Sequence, residues 1–128
     1  MSYYFSKVLS LGFEAAVAEV TKKLKQEGFG VITDVDVTAT LKSKLGVEFR
    51  PYRILGACNP TLAHEALKIE DKVGTMLPCN VIVQEIAPGK AEVATIDPVA
   101  SMAAIDNPAL LKKAKQVRDK LEAVVRSL

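Results

Sequence analysis

The sequence predicts an α+β fold: a two-layer domain in which an antiparallel five-stranded sheet carries two long helices on one face. Five segments have the apolar pattern of strands, and two long segments repeat apolar residues at the helical period of 3.6. The order is β-α-β4-α, with short helical insertions. The 128 residues predict a single domain over positions 1–128. Two long helices can cover one face of such a sheet, so the other face is expected to be open.

The strand segments combine apolar alternation with turn residues at their ends. They are predicted at residues 3–9, 30–37, 52–57 (running into Cys58), 79–86 and 92–96. In the second segment Val31, Thr33 and Val35 share one face, and Asp34 and Asp36 lie on the opposite face. That opposite face is expected to be wet.

The helical segments begin at recognisable capping residues. Long helices are predicted at residues 13–27 and 108–126, short ones at 38–45 and 60–69, and a helical turn after residue 97. Asn59-Pro60 and Asn107-Pro108 each combine a capping side chain with a proline suited to the first helical position. Leu41 and Leu45 are expected to anchor the first short helix. Residues 71–78 are expected to form a loop.

Composition limits the classes of partner. The net charge of +2 is too small to indicate a nucleic-acid surface. Lysines such as Lys112, Lys113 and Lys115 are expected to line a solvated helix face. No apolar run approaches the length of a membrane span. Two cysteines without a secretion signal predict free thiols in the cytoplasm.

The uncovered face of the sheet predicts a partner. It is expected to carry Ile82, Ile86 and one side of the third strand, and an apolar face of this kind is typical of an interface or a ligand site. Self-association as a homodimer is the commonest solution. A small apolar or amphipathic ligand is the second expected partner.

Four phrases in a fixed order carry a family resemblance: GFGVITDVDV (residues 28–37), FRPYRILGACNP (49–60), LPCNVIVQE (77–85) and DPVASM (97–102). With them the chain resembles the domain of unknown function 302 family over nearly its whole length. The resemblance implies a compact β-α-β4-α domain of TATA-binding-protein-like shape and a homodimer. It brings no established activity and no catalytic residues, and the shape alone does not imply DNA binding.

The two cysteines and the single histidine are the candidates for chemistry. Cys58 ends the third strand and Cys79 begins the fourth, so antiparallel pairing predicts that they lie close together. His64 lies just over one turn into the helix that follows Asn59. We therefore expect a site at this edge of the sheet, with Asn80 beside Cys79.

Four interpretations of this site are open. The favoured one is structural: buried thiols, with Asn59 as a helix cap. A zinc or copper site of Cys58, His64 and Cys79 lacks the close ligand spacing of known metal motifs, so no metal is predicted. Cys58 at a helix N-terminus with His64 as base would make a catalytic pair. Cys58 and Cys79 would make a redox pair if their α-carbons lay within about 7 Å.

Arg53 is a further candidate for ligand binding. With Arg50 it flanks the start of the third strand, where guanidinium groups could bind a phosphate or carboxylate. Arginines in such positions are more often ion-pair partners. The function predicted is a non-catalytic, homodimeric small-ligand-binding protein, and the alternative is thiol-redox or metal-binding chemistry. The sequence leaves the question of a cofactor open, and enzymatic activity is not expected.

Overall fold

The predicted α+β architecture is confirmed by a computed structural model that describes residues 2–128. The strands are β1 (Tyr4–Leu9), β2 (Gly30–Asp36), β3 (Tyr52–Cys58), β4 (Cys79–Ala87) and β5 (Lys90–Ile96). The helices are α1 (Phe13–Gln26), α2 (Val37–Leu45), α3 (Pro60–Ile69), α4 (Pro98–Ser101) and α5 (Pro108–Ser127). Most of the segment predicted as a loop is a 3₁₀ helix, Asp71–Met76, whose Val73 is fully buried.

The five strands form one sheet in the order β1-β5-β4-β3-β2, and every neighbouring pair is antiparallel. The long helices α1 and α5 pack together on one face. Leu55, Val81 and Val93 project from the central strands into this layer and are almost completely buried. The main core is therefore the aliphatic layer between sheet and helices.

No helix of residues 2–128 covers the opposite face of the sheet, as the sequence predicts. Ile54, Ile82 and Ala94 lie side by side across β3, β4 and β5 on this open face, and each is only half-buried. Val8 on β1 lies on the same face, and 51% of it is exposed. The open face therefore presents apolar side chains to solvent.

The face assignment predicted for the second strand is wrong beyond Ile32. Val31 lies opposite Ala57 and faces the helices, but the register then shifts by one residue. After this bulge Asp34 projects towards the helix layer and Val35 towards the open face. A bulge adds one residue to a strand and so inverts the alternation after it. The side chains of Asp34 and Asp36 are exposed, as expected, and they lie on the face of the sheet that carries the helices.

Leu45 does not anchor α2, contrary to the prediction, because 68% of it is exposed. Polar bonds at the start of the helix position α2 instead. The Asp36 carboxylate accepts a 2.9 Å hydrogen bond from the Ala39 amide, and the Thr38 hydroxyl donates one of 2.7 Å to the Arg50 carbonyl. No residue of α2 is buried.

A second hydrophobic cluster lies beyond the end of the sheet. It joins α3, the 3₁₀ helix, α4 and the first half of α5. Its buried members are Ala66, Val73, Met102, Leu110 and Ala114. The Asn59 side chain accepts a hydrogen bond from the Leu62 amide at 3.2 Å, which confirms the predicted cap. Because Asn59 caps α3, the helix begins directly after β3. It therefore lies beside the end of the sheet and does not cover either face.

Candidate functional site

An apolar cavity of about 320 Å³ lies where the two hydrophobic clusters meet. It is bounded by the adjoining ends of β3 and β4, by α3 and the 3₁₀ helix, and by α4 and α5. Its wall is formed by Phe29, Ile32, Ala57, Cys58, Asn59, Leu62, Ala63, Ala66, Leu67, Gly74, Leu77, Pro78, Cys79, Pro98, Met102, Leu110, Lys113, Ala114 and Val117. The wall residues Ile32 and Leu67 are largely exposed, so the cavity is open to solvent on their side.

Small side chains on facing helices leave this space unfilled. Ala63 and Ala66 on α3, together with Ala114 on α5, line the wall where larger aliphatic residues would close the gap. Alanine at apolar positions of two helices that pack together is the sequence signal that could have indicated a cavity. The distance between the helices, which decides whether space remains, is a tertiary property and is not encoded in any local pattern.

Both cysteines line the cavity as free thiols. Cys79 lies opposite Ala57, the residue before Cys58, which places the two cysteines at neighbouring strand ends as the sequence predicts. Burial raises the pKa of the Cys79 thiol to about 11, and the neighbouring Cys58 adds to this shift. Cys79 is therefore protonated at neutral pH, which is the state of a structural thiol and not of a nucleophile.

His64 does not join the cysteines. It is exposed on α3, and its neighbours Ala63 and Ala66 line the cavity while it does not. Across residues 2–128 no three His, Cys, Asp or Glu side chains lie close enough together to hold a metal ion. Asn59 is in the wall, but its side-chain oxygen already caps α3.

Arg53 and Asn80 lie away from the cavity. Arg53 contacts carboxylates of α1 and β2, with its Nη1 3.6 Å from Glu14 Oε2 and its Nε 3.9 Å from Asp34 Oδ1. Arg53 therefore has the ion-pair role that is the more common one for arginines in such positions. Asn80 is exposed on the open face of the sheet.

Sequence reasoning missed Lys113, which it assigned to a solvated helix face. Lys113 lines the cavity, and its Nζ lies 2.6 Å from Glu65 Oε2, so the pair joins α5 to α3. The hydrogen bond from Lys113, with the charge of that lysine, lowers the pKa of the Glu65 carboxyl. No pattern within α5 distinguishes Lys113 from its neighbours, because the difference depends on where α3 packs.

The open face of the sheet holds a second, more polar recess of about 370 Å³, lined by Tyr3, Tyr4, Tyr52, Asn80, Ile82, Gln84, Glu92, Ala94, Thr95 and Ile96. Arg50 Nε donates to Gln84 Oε1, and Gln84 Nε2 donates to Glu92 Oε1, both at 2.8 Å. The Arg50 guanidinium also stacks 4.4 Å from the centre of the Phe49 ring. The open face therefore carries the positively charged Arg50 and the negatively charged Glu92 among apolar side chains.

No helix of the described residues 2–128 is long and apolar enough to cross a membrane. None of the curated proteins matches the chain. The family model described as "Domain of unknown function DUF302" matches residues 5–128. A crystal structure of an uncharacterized conserved DUF302 protein from Bacillus stearothermophilus is similar, with 30% sequence identity, a TM-score of 0.90 and 98% of each chain covered. The chain therefore belongs to the DUF302 family, as its four sequence phrases predict.

Proposed function

We propose that this protein is a non-catalytic binding protein for a small apolar or amphipathic molecule, held in the apolar cavity. The cavity itself carries the proposal. A space of about 320 Å³ lined mostly by apolar side chains is close to the lower end of ligand sites, which span roughly 300–1,000 Å³. An apolar cavity of this kind favours apolar guests, because each methylene that leaves water for it contributes about 0.8 kcal/mol.

The wall supports binding and not catalysis. Cys58, Cys79, Asn59 and Lys113 are its only members with thiol, amide or amino side chains. Asn59 caps a helix and the Cys79 thiol is held protonated, so neither is available as a base or nucleophile. Polar metabolites would find few hydrogen-bond partners in such a wall, and leaving their polar groups unpaired is costly.

Thiol-redox or metal-binding chemistry is less well supported. The cysteines share the cavity wall, but His64 is exposed outside it. A catalytic Cys-His pair requires the two side chains to be within hydrogen-bond reach, and an activated thiol requires a lowered pKa. The high pKa of Cys79 is opposite to that requirement.

We also propose that a second copy of the chain covers the open face. Val8, Tyr4 and Val35 project from this face with 43–51% of each side chain exposed. A two-fold interface brings the same surface together from both copies. Arg50 and Glu92 lie on one face, so each could meet its opposite charge across such an axis.

Location in the cytoplasm, expected from the free cysteines, is likewise a proposal.

Filling the cavity should abolish binding. The probe is 1-octanol, titrated into ¹⁵N-labelled protein while amide shifts are followed by NMR. We expect saturable shifts for the amides of Leu62, Ala66 and Leu110, and we expect Ala63→Phe to remove them. His64→Phe is the matched control, since it adds the same ring one residue away, outside the wall, and should leave the titration unchanged. Absence of saturable shifts in the wild type, up to the solubility of octanol, would rule out the proposed function.

A charge introduced among the apolar side chains of the open face should prevent dimerisation. Sedimentation of the wild type is expected to give the mass of two chains. Val8→Lys should give the mass of one, because the charge would be buried in an apolar interface. Leu111→Lys changes an equally apolar, 43% exposed residue on α5 and should stay dimeric. A wild-type protein that sediments as a monomer at tens of micromolar would contradict the dimer.

The thiol alternative is tested by alkylation. In the wild type, with the two cysteines distinguished by mass spectrometry of their peptides, the rate at which iodoacetamide modifies Cys79 should rise with pH up to a midpoint near 11, the raised pKa of that thiol. Near pH 8 only about one molecule in a thousand would carry the reactive thiolate. A rate midpoint below 8 would show an activated thiol and would favour thiol chemistry over simple binding.

A further inference from the structure

Among the described residues 2–128, Lys113 is the only member of the cavity wall with an acidic or basic side chain. Its side chain is 27% exposed, and its ammonium group reaches Glu65 on the neighbouring helix. Lysine side chains commonly place their methylene groups along an apolar wall and keep the ammonium near water. The cavity therefore has an apolar interior with one cationic group at its edge.

The present partner of Lys113 can be displaced. Glu65 does not line the cavity, and 39% of its side chain is exposed, so its carboxylate can turn into water and lose only a partly exposed ion pair, which contributes little stability. Glu65 is the only carboxylate within ion-pair distance of Lys113 among residues 2–128. An ammonium group has three N–H donors, so a ligand anion could share Lys113 with Glu65 or replace it.

The sign of the charge selects the ligand class. An amine head group would be repelled by Lys113, and a neutral head group would leave the Lys113–Glu65 pair unchanged. A carboxylate would gain a charge-assisted hydrogen bond while its tail leaves water for the cavity. The modest volume limits the tail to a short alkyl chain or a single ring.

We propose that the cavity binds small amphipathic carboxylates, with the tail between α3 and α5 and the carboxylate on the ammonium group of Lys113. This inference rests on the proposed function, because it assigns a ligand class to the same cavity. Lys113 is then the residue that determines specificity, and Glu65 is the group with which the ligand competes.

The test compares octanoate, 1-octanol and octylamine, which each contain eight carbon atoms, at neutral pH and low salt. Octanoate should bind the wild type more tightly than octylamine. Lys113→Met keeps an apolar stem without the charge, and it should weaken octanoate about tenfold, the typical contribution of a hydrogen bond to a charged group. Octanol should change by less than about twofold, since its tail contacts the same wall. Lys112→Met is the matched control, because Lys112 is exposed on α5 outside the wall and should have no effect.

Glu65→Gln provides an independent variant. It removes the competing carboxylate and keeps the shape of the side chain, so octanoate should bind several-fold more tightly. Octanol that binds while octanoate is unaffected by both Lys113→Met and Glu65→Gln would overturn this inference and leave the proposed function standing. If none of the three probes binds the wild type, the proposed function fails as well.

Discussion

The sheet has five strands, and only two long helices are available to cover it. This limit determines the rest of the structure. Because α1 and α5 pack on one face, the small and branched side chains of β3, β4 and β5 build one aliphatic core there. The opposite face keeps Ile54, Ile82 and Val8 in partial contact with solvent. The proposed dimer and its two-fold interface follow from this asymmetry.

The cavity arises from the way in which the third helix is attached. Asn59 and Pro60 begin α3 immediately after β3, so α3 is held beside the sheet end and packs on α5, not on the sheet. A second cluster forms there around Val73 and Leu110. The chain has no tryptophan and only 5% aromatic residues, so large side chains that could fill the junction are scarce. Alanines line it on both helices, and space remains between the two clusters.

Lys113 shows how one charged side chain could make an apolar cavity selective for the head group of its ligand. An apolar cavity distinguishes its guests weakly, since burial depends on area and hardly on identity. In the proposed site, a single ammonium group at the edge would distinguish head groups by the sign of their charge. The Lys113–Glu65 pair also joins α3 to α5, so displacement of Glu65 would loosen a contact between the helices that enclose the ligand.

Structural features that depend on residues adjacent in the sequence were predictable, and features that depend on tertiary packing were not. Asn59, Asp97 and Asn107 each cap a helix that begins at the next proline, because a cap and its helix are neighbours in sequence. The proximity of Cys58 and Cys79 followed from antiparallel pairing alone. The bulge at Ile32, by contrast, depends on how β2 pairs with β3 at the sheet edge. The exposure of Leu45 and the position of Lys113 in a wall likewise depend on which elements come to lie beside them.

Both ligand proposals depend on the junction between the two hydrophobic clusters being an apolar cavity able to hold a guest. A crystal structure of the protein under xenon pressure tests it most directly, since xenon occupies apolar cavities that exclude water. The account predicts xenon density among Leu62, Met102 and Leu110, with little movement of the surrounding side chains. Absence of xenon from that space, or side chains collapsed to close it, would contradict the proposed binding.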